Sequence, residues 1–198
     1  ARLARLLLAG ALSLPPGAAR TVPLAALPGG KPVLAGAAAG RLHFSLSHSG
    51  GWAAIALADR PVGVDVEALA APDAALLAAC ATPAERQAIA QSDDPSAAFT
   101  ALWTTREALL KAHGAGLVQP LPAWSPGPAG AAGWRAIIPT GSRGTPWPAY
   151  HVCPFSVDGQ HAGAVALAAG AVHLVPPPPR AKLADLDALL DGTQKSFP

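Results

Sequence analysis

Charge and aromatic rings are what this chain has least of. Of its 198 residues 13% are charged and 5% aromatic, although 51% are hydrophobic. Much of that apolar content is alanine, so the composition is that of a globular chain rather than a membrane-spanning one. Long apolar runs are missing as well. The run that opens the chain, inside ARLARLLLAGALSLPPGAA, is too short to cross a bilayer. Cysteine is limited to Cys80 and Cys153, which make no disulfide framework and have no metal-ligand spacing. The expectation is two ordinary buried thiols in a reduced, cytoplasmic setting. The histidines (His43, His48, His113, His151, His161, His173) lack zinc-type spacing. Ser47, although next to His48, lacks the G-x-S-x-G surroundings of a hydrolase nucleophile. No internal repeat is evident.

Glycine and proline are abundant, at 20 and 22 residues, and they cluster between apolar segments as loop punctuation. The charges that exist are unevenly placed. Residues 1–60 hold six bases (Arg2, Arg5, Arg20, Lys31, Arg41, Arg60) against the single acid Asp59. Residues 61–100 hold six acids (Asp65, Glu67, Asp73, Glu85, Asp93, Asp94) against Arg86. A basic half before an acidic stretch suits a polyanion held beside a metal ion. For any one of these residues, solvated surface charge is the plainer reading.

Punctuation and periodicity divide the chain into short elements. The opening reads either as the start of a signal peptide or as an amphipathic helix over about residues 2–13, stopped by Pro15-Pro16-Gly17. A loop-rich passage holding Gly29-Gly30-Lys31-Pro32 follows. Residues 42–46, 52–58 and 62–67 read as strands, with Asp59-Arg60-Pro61 as the turn between the last two. Residues 73–80 and 83–91 read as helices, the second opened by Thr82-Pro83-Ala84-Glu85. The strongest helix runs over 96–113 and stops at Gly114. Residues 117–124 read as a proline-rich loop, and 133–138, 149–157 and 161–168 as strands. Val157-Asp158-Gly159-Gln160 is the hairpin turn between the last two. Residues 176–179 are a stiff proline linker and 181–190 a short tail helix.

Three constellations can carry chemistry. In Gly63-Val64-Asp65-Val66-Glu67, side chains two apart share a face, so Asp65 and Glu67 present paired carboxylates. A hard divalent ion relieves their repulsion and takes its other ligands from water and phosphate. The plainer reading of a bare D-x-E is a half-exposed strand with solvated acids. On the long helix Trp103, Glu107 and Lys111 fall at i, i+4, i+8, one stripe. Glu107–Lys111 alone would be a surface ion pair, but the tryptophan implies that this face is partly buried. The third, Phe44-Ser45-Leu46-Ser47-His48-Ser49-Gly50-Gly51, ends a strand in a Gly-rich turn. Its hydroxyls, imidazole and free amides suit phosphate, or simply a capped loop.

In their order, S-H-S-G-G, then G-V-D-V-E, then F-x-x-x-W-T-x-R-E-A-x-x-K-A-x-G-x-G-L, these segments resemble the 4′-phosphopantetheinyl transferase superfamily. Gly30-Lys31-Pro32 is similar to a further element of its surfactin-synthetase-activating branch. The matching elements span about residues 30–117, and 159–168 resembles the family's last core strand. The resemblance implies an α/β (α+β) monomer of two similar lobes related by a pseudo-twofold axis. Each lobe would pack a helix on a small antiparallel sheet, with the active site between them. The lobes would be 1–62 and 63–175, followed by the linker and tail, 176–198. It implies Asp65, Glu67 and Glu107 as ligands of Mg²⁺ or Mn²⁺. Lys31, Ser47, His48 and Lys111 would hold phosphates of coenzyme A, together with Arg5 or Arg2 from the first helix. Glu107, Lys111 and His48 would be catalytic. The implied reaction moves phosphopantetheine from coenzyme A to a serine of an apo acyl or peptidyl carrier protein, and no nucleic-acid or membrane partner is expected. Coenzyme A as a substrate also selects the helix, not the signal peptide, for the opening. Arg106 stands where the family usually has Lys, and the start is shorter than in typical members, which implies that part of the first lobe is missing or rearranged. Two alternatives share the chemistry: a relative that binds coenzyme A or a carrier protein without turnover, and a metal-dependent phosphodiesterase.

Overall fold

The computed structural model describes residues 2–15, 17–114, 116, 123–130, 133–140 and 147–169, without the side chains of 2, 3, 123–129 and 138–140. The expected linker at 176–179, the tail helix at 181–190 and the loop at 117–122 lie outside the described residues. By their contacts, the described residues form two units. One holds residues up to 25 with Leu34–Leu42, and the other Ala26–Val33 with His43–Ala169.

In the first unit helix α1 (Arg2–Ala11) buries Ala4, Leu8 and Ala9, the residues that share one face at helical spacing. It ends two residues earlier than the pattern predicts, since Ser13 turns left-handed at φ 54°. The helix packs against a 3₁₀ turn at Ala18–Thr21. Arg5 ties the two, its guanidinium donating to the carbonyls of Arg20 and Val22. Strands β1 (Leu24–Ala26) and β2 (Pro32–Leu34) pair in a small sheet inside the passage read as loop. At three residues each they are too short to leave an alternating pattern.

The second unit is a mixture of helices and antiparallel sheet. Strands β3 (His43–Ser49) and β4 (Trp52–Ala58) form a hairpin closed by Gly50-Gly51, from His43 opposite Ala58 to Ser49 opposite Trp52. Strand β5 (Val62–Ala68) opens a five-stranded antiparallel sheet with β6 (Ala123–Ala129), β7 (Arg135–Thr140), β8 (Tyr150–Ser156) and β9 (His161–Ala168). Its order is β5-β9-β8-β7-β6. Strand β6 corrects the loop expected through residue 124. Its sequence, AWSPGPA, is tolerable in a sheet because β6 is an edge, where the missing proline N–H groups break no inner ladder.

Helices α2 (Ala74–Cys80), α3 (Pro83–Ala90) and α4 (Pro95–His113) begin at side-chain caps, Asp73, Thr82 and Asp94. The Thr82–Glu85 capping box forms as its spacing predicts. Helix α4 lies on β5, β9 and β8. Its Ala108, Leu109 and Ala112 join Ile137, Tyr150, Val152, Ala164 and Ala166 in the main core. A second core under α2 and α3 gathers Cys80, Ala81, Ile89 and Phe99, with Trp103 packed against it. Among the described residues no helix is long and apolar enough to cross a membrane.

Candidate active site

The site is built where β3, β5 and α4 meet. Gly63 permits the meeting, because a Cβ added there would lie 1.9 Å from the Ala108 carbonyl oxygen and 2.4 Å from the Ala112 nitrogen. With no side chain between helix and strand, Glu107 and Lys111 come down directly over Asp65. Asp65 is only 2% exposed, which rules out the reading of a solvated acid. Glu67, next on that face, is half-buried.

Strand β3 approaches from the other side with three serines at alternate positions. Ser45 Oγ accepts from the Val64 amide at 3.0 Å, and Ser49 Oγ from the Ala68 amide at 3.1 Å. Between them Ser47 Oγ donates to Asp65 Oδ1 at 2.7 Å. Lys111 Nζ closes the cluster, 2.6 Å from Asp65 Oδ1 and 3.1 Å from Ser47 Oγ. The alternation of S-x-S-x-S was a readable sign that one face of β3 would be fastened by hydroxyls: Ser45 and Ser49, offered by the sequence as phosphate donors, accept from β5 amides instead.

Two cavities adjoin here, sharing Leu46, Glu107 and Lys111. One, about 360 Å³, is lined by Ser47, His48, Asp65, Glu67, Trp103, Glu107 and Lys111. The other, about 250 Å³, is lined by Gly29, Gly30, Lys31, Pro32, Ser45, Leu110, Gly114 and Gly116 besides the shared residues. The Trp103–Glu107–Lys111 stripe therefore faces a cavity and is not a solvated helix face. His48 stands exposed at its rim. Lys31 Nζ donates to the Val62 carbonyl at 2.9 Å and lies 3.5 Å from that of Ala112. Burial pulls its pKa down to about 8. Arg5 belongs to the first unit. Arg106 is buried at 4% exposure and pairs with both carboxylate oxygens of Glu85, at 2.8 and 2.7 Å. Glu85 thus caps α3 and anchors α4 at once, a link no local motif reveals.

The carboxylates are not fully matched by protein donors. Asp65 Oδ2 and Glu107 Oε1 are buried without a hydrogen-bond partner. Burial and then the Asp65 charge raise the pKa of Glu107, against the opposing pull of Lys111. Among the described residues no three His, Cys, Asp or Glu side chains form a ready metal cluster. The donor set nonetheless fits a hard divalent ion. Mg²⁺ is typically held by one or two carboxylates and completes its shell with water and phosphate oxygens, and two buried carboxylate oxygens here lack any other partner.

Comparison with known proteins points to one family. The family model of the 4′-phosphopantetheinyl transferase superfamily (ACPS) matches residues 61–161, the stretch from β5 to the start of β9. The chain is 36% identical over 77 residues to 4′-phosphopantetheinyl transferase psf-1 of Bacillus pumilus, covering 38% of this chain and 33% of that protein. It is 30% identical over 86 residues to a 4′-phosphopantetheinyl transferase of Bacillus subtilis, covering 42% and 38%. With 4′-phosphopantetheinyl transferase gsp of Aneurinibacillus migulanus it shares 34% over 83 residues, covering 40% and 35%. The chain thus spans between 33% and 38% of the length of these curated relatives.

Proposed function

From the premise that the chain belongs to the 4′-phosphopantetheinyl transferase superfamily, we propose that it transfers 4′-phosphopantetheine from coenzyme A to a serine hydroxyl of an apo acyl or peptidyl carrier protein, releasing 3′,5′-ADP. The observation that carries this reading is a convergence. The three segments behind the resemblance supply Ser47 and His48, Asp65 and Glu67, and Glu107 and Lys111 to one cavity.

Asp65, Glu67 and Glu107 would hold Mg²⁺ or Mn²⁺. The unpartnered Asp65 Oδ2 and Glu107 Oε1 support the assignment. When bound, the ion supplies charge neutralisation on the diphosphate under attack. The carrier serine Oγ attacks the β-phosphorus, the bond to the bridging oxygen breaks, and 3′,5′-ADP departs with the electron pair. Glu107 takes the serine proton. Lys111, at the boundary of the two cavities, and His48, at the rim, stabilise negative charge on the phosphate oxygens. Ser47 and Lys31 hold phosphate. Arg5 enters as a further phosphate ligand on the resemblance alone. Positioning and electrostatics do most of the work. In this reading residues 63–175 are the metal-bearing lobe, 1–62 the other, and the enzyme is a cytoplasmic monomer.

The test is the intact mass of an apo carrier protein incubated with the protein, coenzyme A and Mg²⁺, with an EDTA control. A gain of one phosphopantetheine that EDTA prevents is expected. Binding of coenzyme A without transfer to any carrier type would leave the non-catalytic relative instead.

A further inference from the structure

The hairpin that carries Ser47 and His48 has a second attachment, far from the first in sequence. A two-stranded ribbon is marginal by itself. The serine hydroxyls hold one face of β3, yet among the described residues β3 and β4 pair only with each other in a two-stranded sheet. There Trp52 Nε1 donates to Asp158 Oδ2 at 2.9 Å, across 106 residues. The other oxygen, Asp158 Oδ1, accepts from the Gln160 amide at 2.9 Å and pairs with His161 Nδ1 at 3.0 Å. One carboxylate in the β8–β9 turn therefore gathers three donors, one of them from the tip of the other hairpin. The approach at this point is close. A Cβ added at Gly50 would lie 3.0 Å from His161 Nε2, so the imidazole packs directly under the tip. Asp158 is held well into its charged range by the Gln160 amide first and the His161 ring second, at a pKa of about 2. Nothing in the transfer chemistry above uses Trp52, Asp158 or His161.

We propose that Asp158 is a positioning residue: through Trp52 it clamps the tip of the β3–β4 hairpin and so sets His48 at the rim of the coenzyme A site. The inference rests on the transferase reading for the role of His48. The register supports it, because His48 lies opposite Ala53, one residue beyond the clamped Trp52. The carboxylate holds the tip from the turn that leads into β9, and β9 pairs with β5 from Val62 to Ala68. A clamp there fixes the phosphate-binding hairpin relative to the carboxylate strand.

The experiment pairs Asp158→Ala with Trp52→Phe, which keeps an aromatic ring but removes the donor N–H with the rest of the indole. Amide hydrogen exchange over residues 47–53 and coenzyme A affinity by calorimetry are read for each single variant and for the double. Faster exchange at the tip and an affinity loss of about tenfold are expected. The double variant should be no worse than Asp158→Ala, since Asp158→Ala already removes the bond that Trp52→Phe removes. In a His48→Ala background Asp158→Ala should no longer change affinity, which a merely structural role would not produce. Unchanged exchange at the tip, unchanged affinity, or an undiminished effect in the His48→Ala background overturns the inference. If the unmutated protein fails to bind coenzyme A, the transferase reading falls and this inference with it. If it binds and the variants bind equally well, this inference falls alone.

Discussion

Asp65 and Glu107 stand on backbones that touch, whereas Ser47 and His48 stand on a hairpin tied down by side chains. On the first side, helix α4 rests on β5 with nothing between them at Gly63, and the main core continues directly beneath in Ala108 and Leu109. On the second, β3 meets β5 through serine hydroxyls, and its hairpin tip is held by the Trp52–Asp158 bond. The carboxylate side is thus part of the core and resists displacement as cores do. The hairpin side is adjustable one hydrogen bond at a time. Under the proposed transfer, a site that holds a metal ion in tight geometry and also admits a large, flexible anion gains from that division.

The comparison breaks most decisively at Gly63. In Gly63→Val the new side chain has to displace the α4 backbone, so a stability loss of about 3 kcal/mol or more is expected, with transfer lost as well. Thermal melting checks the first and the carrier mass assay the second. A near-native melting point would show that α4 can lift off β5 cheaply. Next come changes that spare the fold. Asp65→Ala and Glu107→Ala should abolish transfer with native circular dichroism, and Lys111→Ala should lower turnover by about a hundredfold or more. Retained turnover in any of them removes that residue from the chemistry.

For the proposed phosphate ligand Lys31, pH is the finer probe. Burial pulls Lys31 down to about 8, so its charge is lost above that pH. Coenzyme A affinity should fall as pH rises past about 8, and Lys31→Arg, which stays charged, should flatten the profile. Stability should move the opposite way. The unfolded chain keeps the proton up to the ordinary 10.5 while the folded one releases it near 8, so stability rises with pH between these values. A flat affinity profile in the unmutated protein would confine Lys31 to bracing the Val62 and Ala112 carbonyls. The smallest effects compare two serines making the same bond. Ser45→Ala strands a buried Val64 amide, at about 1–3 kcal/mol. Ser49→Ala releases an Ala68 amide that water can reach, and should cost about 0.5 kcal/mol. Equal losses in urea melts would contradict the graded fastening of β3.

Much of this was legible locally. Strands β4 and β9 lie where alternation and turn residues put them, and α4 runs from an Asp94 cap to the left-handed Gly114, within a residue of its predicted limits. The Thr82–Glu85 box and the Asp158–Gly159 turn are likewise short-range signals. What escaped depended on neighbours. The prolines of β6 argue against a strand until its place at a sheet edge is known. The strands β1 and β2 are too brief to show a period. Arg106, conspicuous as a departure from the family's lysine, points away from the cavity to Glu85.

The sequence by itself determined which residue types could carry the chemistry and on what local element each would sit, because periodicity, capping and turn conformation act over a few residues. The tertiary structure decided that Asp65 is buried and not solvated, and that Lys111 and Ser47 converge on one of its oxygens while the other is left without a partner. It also decided that Trp52 would meet Asp158. The physical reason is that burial and long-range hydrogen bonds depend on which elements come to lie side by side. Here that depends on a missing side chain at Gly63, whose consequence is invisible until α4 is laid against it.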